Sequence, residues 1–314
     1  MQFVCAQEVL TLPYEANSLT EEQKAMNPDR LAYPTELKET IKNEVSFECT
    51  PQVVELGPFS VSENKQVIFS PGNLQFNAMQ GSHQCADGTS QKGTWRFAEH
   101  QWDIIGDANK NTSSSYSGWI DLFGWGTSGF NDKNPWMTRN TKTDYGNGDR
   151  DIAGTNYDWG VYNTISNGGK NWRTLTIGEW VYVFSHRSTS SGIRYVKAIV
   201  NGINGVILLP DNWNKNNFKL SKTNNYKSKF SSNMISQTDW TNKFEANGAV
   251  FLPAAGHREG TSISDVGSKG NYWSASFSGS NWAFVVYFYD SVYGSAGYGR
   301  WAGESVRLVC PAEN

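Results

Sequence analysis

Charge is scarce in this chain. Only 18% of its 314 residues are Asp, Glu, Lys or Arg, and the net charge is −3. No basic stripe runs through it, so the electrostatic footprint of nucleic-acid binding is missing. No apolar run approaches the ~20 residues of a membrane span. Ala and Leu are sparse while Gly (30), Asn and Ser are plentiful, the reverse of what long helices need. Four cysteines make no disulfide framework, and the spacings of Cys49, Cys85 and Cys310 match no zinc pattern. One disulfide, in an exported protein, and three buried thiols are both open readings. His83, His100, His186 and His257 are far apart, with no metal-ligand spacing. There is no Gly-x-Ser-x-Gly elbow and no repeat at a fixed period. Paired carboxylates for glycoside hydrolysis need not be close in sequence, but nothing selects a pair. An enzyme therefore has no positive residue-level support.

What the chain does have is aromatic side chains, 14% overall and concentrated near the C-terminus. Eleven of the thirty residues from Tyr272 to Trp301 are Phe, Tyr or Trp, and only Asp290 and Arg300 are charged there. If Ala283 to Tyr289 is a strand, Phe284, Val286 and Phe288 share one face and Val285, Tyr287 and Tyr289 the other. With the first face as core, the second is a row of large amphipathic side chains, the chemistry of a recognition site. A strand buried on both faces is the bland alternative.

Residues 1–52 differ in texture from 53–314. Residues 1–6 read like the tail of a secretory signal, with Val4 and Ala6 at the small-residue positions; an ordinary frayed terminus reads equally well. Ser18-Leu-Thr-Glu21 is a capping-box pattern, and a second helix is expected from Thr35. From Pro51 on, short strands are expected at 59–61, 66–70, 74–77, 193–200, 206–209 and 250–252, with Asn201-Gly202 as a hairpin turn. Thr176-Ile-Gly-Glu179 opens a short helix, and another runs over 236–247 until Gly248. Residues 106–170 are loop-dominated, with Trp119, Trp125, Trp136 and Trp159 as expected anchors. Residues 211–235 are a polar excursion. The fold class is α+β, loop-rich, with short antiparallel strands and a few short helices.

Two motifs invite chemistry. Gly124-Trp-Gly126-Thr-Ser-Gly129 matches a dinucleotide fingerprint, but Phe130-Asn-Asp-Lys-Asn-Pro135 cannot open the required helix; a tight turn around Trp125 is the reading taken. Asp107-Ala-Asn109-Lys-Asn111 starts like a calcium loop without its glycine or its final acid. Asp144, Asp149 and Asp151 form a second acidic group. A structural calcium is one reading of these; solvated turn carboxylates are the default. No other cofactor is expected.

Three segments carry a resemblance. Trp172-Arg-Thr-Leu-Thr-Ile-Gly-Glu-Trp180 resembles the "RLPTEAEWE" segment of the formylglycine-generating-enzyme branch of the C-type lectin fold. Ser305-Val-Arg-Leu-Val309 resembles that branch's closing "GFRLV" strand. Gly270-Asn-Tyr-Trp-Ser-Ala-Ser276, with the aromatic strand and this closure, resembles the variable region of diversity-generating retroelement target proteins. The resemblance implies a C-type-lectin-like ligand-binding domain over 53–314 with its variable region at 272–309. In that family a reverse transcriptase copies a template and randomises its adenines, while scaffold residues stay fixed. Phe284, Val286, Phe288 and Val292 then read as scaffold. Val285, Tyr287, Tyr289, Asp290, Tyr293, Ser295, Tyr298 and Ala302 are all types reachable from an Asn codon; Trp282 and Trp301 are reached less simply. These ten are the expected ligand-binding positions. The implied protein is a non-enzymatic binder of a protein or cell-surface ligand, exported to the cell surface or the extracellular space. Alternatives are a phage tail-fibre tip on a phage particle, a pilus-type structural tip, or an oxidase of the formylglycine-generating type. The last needs a cysteine pair, and no cysteine lies between Cys85 and Cys310.

Overall fold

A computed structural model describes residues 57–139, 141–169 and 171–312. Contacts divide the chain into Met1–Val53 and Val54–Asn314, and every described residue lies in the second unit. The expected signal remnant, the helices near Ser18 and Thr35, and Cys5 and Cys49 fall outside the described residues.

The unit is a mixed, strand-rich α+β structure of small sheets. Its strands are β1 (Phe59–Ser62), β2 (Lys65–Phe69), β3 (Leu74–Gln84), β4 (Ser90–Phe97), β5 (Arg173–Thr174), β6 (Tyr195–Val200), β7 (Ile203–Leu208), β8 (Met234–Ile235), β9 (Val250–Pro253), β10 (His257–Glu259), β11 (Ser262–Ser264), β12 (Lys269–Phe277), β13 (Trp282–Tyr289), β14 (Val292–Gly299) and β15 (Leu308–Pro311). One four-stranded sheet has the order β1-β2-β15-β5, another β8-β6-β7-β9, and β12-β13-β14 form an antiparallel meander. The paired strands β3 and β4 run well past the expected 74–77, with a register shift between Asn77 and Ser82. Among the described strands, only β6 and β8 pair in parallel.

Local chemistry explains several of these elements. Asn201 and Gly202 both take positive φ, 46° and 80°, which a two-residue turn matching strand twist requires. At helix α1 (Trp159–Tyr162), the Asp158 carboxylate accepts from the Gly160 N–H. Helix α2 (Ile177–Val181) has the expected capping box: Thr176 Oγ1 accepts from Glu179 N at 3.2 Å and Glu179 Oε2 from Thr176 N at 2.9 Å. It continues as a π turn to His186. The 237–247 segment winds from Gln237 through a π turn and a 3-10 turn to Gly248, whose φ of 78° ends it. The 211–235 excursion is less exposed than its polarity suggests, because Trp213 and Phe230 are buried. The glycine-rich turn closes around Trp125, which is fully buried and donates from Nε1 to Ser274 O at 2.8 Å. A short 3-10 turn, Phe130–Asp132, follows it in place of a helix. Trp159 anchors its loop in the core, while Trp119 and Trp136 are only half-buried.

The β12-β13-β14 meander lies between two cores. On one side Tyr272, Val286 and Phe288 meet Trp180 and Phe184. On the other Trp273, Ala283 and Val285 meet Phe123 and Trp125. At its middle β13 is therefore buried on both faces. Solvent reaches it only toward its ends.

Candidate functional site

Register assigns each expected contact position to a face. Tyr287 lies opposite Asn271 on β12 and Gly294 on β14; Tyr289 lies opposite Lys269 and Val292; Ala283 lies opposite Tyr298. Alternation then puts Lys269, Tyr287, Tyr289 and Tyr298 on the Val285 side. Trp282, Phe284, Tyr293 and Ser295 fall on the Val286 side. Trp282 and Tyr289 are also seven residues apart, about 23 Å along an extended strand. The ten positions do not form one patch.

They form two aromatic groups. At the start of β13, Trp282 is 46% exposed and pairs with half-buried Trp301, ring centroids 6.3 Å apart. At the end of β13, Tyr289 is 40% exposed and stacks with half-buried Tyr287 at 6.3 Å and 14°. The Lys269 ammonium lies 5.9 Å from the Tyr287 ring and 5.4 Å from the Tyr298 ring, within cation–π reach of both. The His257 ring is 6.3 Å from Tyr298, and its Nδ1 is 3.5 Å from an Asp265 carboxylate oxygen. Burial and the Lys269 charge push the His257 imidazole below its ordinary pKa, against the pull of Asp265 and Glu259. Burial raises the Tyr298 phenol, and the charges of Glu304, Glu259 and Asp265 add to it. Ser295 is exposed on the other face.

Three expected contacts need correction. Val285 is 0% exposed, sealed between Trp273 and the Phe123/Trp125 core, so it cannot present a side chain to a ligand. Ala302 is 1% exposed in the same core. Tyr293 is half-buried with its ring beneath the sheet, stacked on Phe184 at 4.4 Å; burial raises its phenol well above the ordinary range. Asp290 stays exposed, with one carboxylate oxygen accepting the Phe230 N–H at 2.8 Å. Among the expected scaffold residues, Val286 and Phe288 are buried while Phe284 and Val292 are only half-buried. Two further side chains were not among the expected positions. Lys269 was legible as the β12 residue facing Tyr289. Tyr226, 50% exposed, belongs to the excursion, and its main-chain oxygen shares the Lys197 ammonium with Tyr289 O.

The second acidic group has protein partners. Asp149 reaches Arg300 at 3.4 Å, Asp151 accepts the Phe277 N–H at 2.8 Å and Asp144 lies 3.6 Å from Arg139. Among the described residues no three His, Cys, Asp or Glu side chains gather as a metal cluster. Cys85 is buried, and desolvation pushes its thiol pKa up, the opposite of an activated cysteine. A cleft of about 250 Å³ opens beside Phe76, Trp95 and Trp136, with Gln91, Asp132 and Asn134 at its rim. No family model, curated protein or solved structure matches the chain.

Proposed function

We propose that this is a ligand-binding protein whose contact surface is the Tyr287/Tyr289 end of the β13–β14 hairpin, with Lys269, Tyr298 and Tyr226 around it. The observation that carries the reading is exposed Tyr289 stacked on half-buried Tyr287 beside a lysine on the neighbouring strand. Tyrosine gives large contact area at low conformational-entropy cost, and its hydroxyl tolerates polar partners. The ligand class is a protein or cell-surface molecule, met outside the cell.

The adjacency of the segments that carry the family resemblance supports a C-type-lectin-like domain of the retroelement-diversified kind. Leu308 and Val309 of β15 pair with Thr174 and Arg173 of β5, immediately before the capped helix α2. Trp180 of that helix donates from Nε1 to Trp273 O at 3.3 Å, beneath the aromatic strands. In this reading the diversified set is smaller than ten residues, because Val285 and Ala302 belong to the core.

Two experiments test it. A near-copy of codons 272–309 beside a reverse-transcriptase gene, differing mainly at adenines, is expected in the surrounding DNA; its absence removes the diversification reading. Purified protein is also compared on arrayed bacterial surface proteins with Tyr287→Ala/Tyr289→Ala and with Trp282→Ala/Trp301→Ala. Loss of the wild-type signals in the first variant but not the second is expected. Equal signals from all three proteins would reject the Tyr pair as the contact surface.

A further inference from the structure

The hairpin that bears the Tyr pair is held by a buried cation that bonds no side chain. Lys197 on β6 is fully buried, at 0% exposure. An ammonium has three N–H donors. All three find main-chain oxygens: Tyr226 O at 2.8 Å, Tyr289 O at 2.6 Å and Val292 O at 2.8 Å. Tyr289 and Val292 flank the Asp290-Ser291 turn of the hairpin, and Tyr226 belongs to the excursion. The Ser291 N–H adds a main-chain bond to Ser228 O at 3.0 Å. Such a placement is costly for a lysine unless its charge is fully hydrogen-bonded. Here carbonyl dipoles meet that requirement, with Asp290 the nearby opposite charge and the Phe230 ring at 5.9 Å.

The opposite end of the hairpin repeats the device. Arg300, 1% exposed, donates to Gly148 O at 2.7 Å, Gly279 O at 3.2 Å and Trp282 O at 3.4 Å. Its one side-chain acceptor is Asp149 at 3.4 Å.

We propose that Lys197 is a positioning residue that fixes the β13–β14 tip and Tyr226 through backbone oxygens alone. Every residue type at 226, 289 and 292 supplies the same carbonyl. Side chains there can therefore change without moving the backbone that presents them. A side-chain salt bridge in its place would tie the tip to one sequence. This deepens the binding reading and draws its meaning from it, but the test needs no ligand, so the two fail separately.

The experiment is hydrogen exchange on the whole chain, read for peptides covering 287–294 and for core strands β6, β7 and β12. In Lys197→Met the tip amides are expected to exchange roughly tenfold faster or more, with the core strands within about threefold of wild type. In Tyr226→Ala/Tyr289→Ser/Val292→Thr the tip protection is expected to stay within about threefold of wild type. The lysine ammonium gives a second readout. In 15N-lysine-labelled protein, a slowly exchanging Lys197 NH3+ resonance is expected in the wild type and in the triple variant. Unchanged tip protection in Lys197→Met overturns the proposal, as does release of the tip or loss of the ammonium signal in the triple variant. If Lys197→Met does not fold, the triple variant decides alone by the same two readouts.

Discussion

Tyr293 and Tyr289 face each other's strands across the same hairpin turn, yet the structure gives them opposite work. Tyr293→Ala removes a ring stacked on Phe184 at 4.4 Å and lying 6.0 Å from Tyr195. A fully buried aromatic costs about 3–5 kcal/mol on truncation to Ala. Tyr293 is half-buried, which lowers the figure, while the lost ring stacking adds about 0.5–1.5 kcal/mol; about 2–4 kcal/mol is expected. At roughly 2–4 °C per kcal/mol for a domain of this size, the melting temperature should fall by about 4–16 °C. Tyr289→Ala removes an exposed ring, and such surface changes stay within about 0.5 kcal/mol. Urea unfolding with both variants and the wild type measures the difference, provided m is unchanged. Equal midpoints for the two variants, or a larger loss in Tyr289→Ala, would refute the division of the hairpin into a core ring and a surface ring.

Two further outcomes follow from groups beneath the same strands. Glu304 is fully buried, and burial pushes its carboxyl up to about 8 against the opposing pull of the neighbouring Asn271 amide and of the Lys269 and Arg258 charges. A carboxyl whose folded pKa is raised contributes stability that is complete below its unfolded value and lost as pH rises through the folded one. Wild-type stability should therefore fall relative to Glu304→Gln between about pH 4.5 and 8, by at most about 5 kcal/mol. Parallel denaturation curves for the two proteins across that window would show the carboxyl is not desolvated. At Gly270, a Cβ would lie 2.2 Å from Phe288 Cζ, since the Phe288 ring crosses the strand there. Gly270→Ala should cost about 1–3 kcal/mol by overpacking, read as a lower urea midpoint; no change would mean the ring moves aside freely.

Sequence reasoning reached the elements that short-range chemistry decides. Thr176 and Glu179 cap each other three residues apart, and Asn201-Gly202 satisfies a turn that few other pairs can. Alternation along β13 correctly separated Val286 and Phe288 from Tyr287 and Tyr289. It could not tell that Val285, on the Tyr side, is sealed into a core shared with Phe123 and Trp125, from a loop some 160 residues earlier. Residue type misled at Tyr293, because a tyrosine that suits a surface also stacks well on Phe184 once a helix is placed there. Tyr226 was invisible for the complementary reason: the excursion meets the tip through long-range bonds, Lys197 to Tyr226 O and Tyr289 O among them.

By itself, then, the order of residues determined the strand-rich class, the caps and turns, and the aromatic wealth of the last strands, since these depend on neighbours a few positions away. Which of those rings see solvent was decided only when the meander was inserted between two cores and its tip tied to β6. Exposure is set by what distant segments cover, and coverage has no local signature.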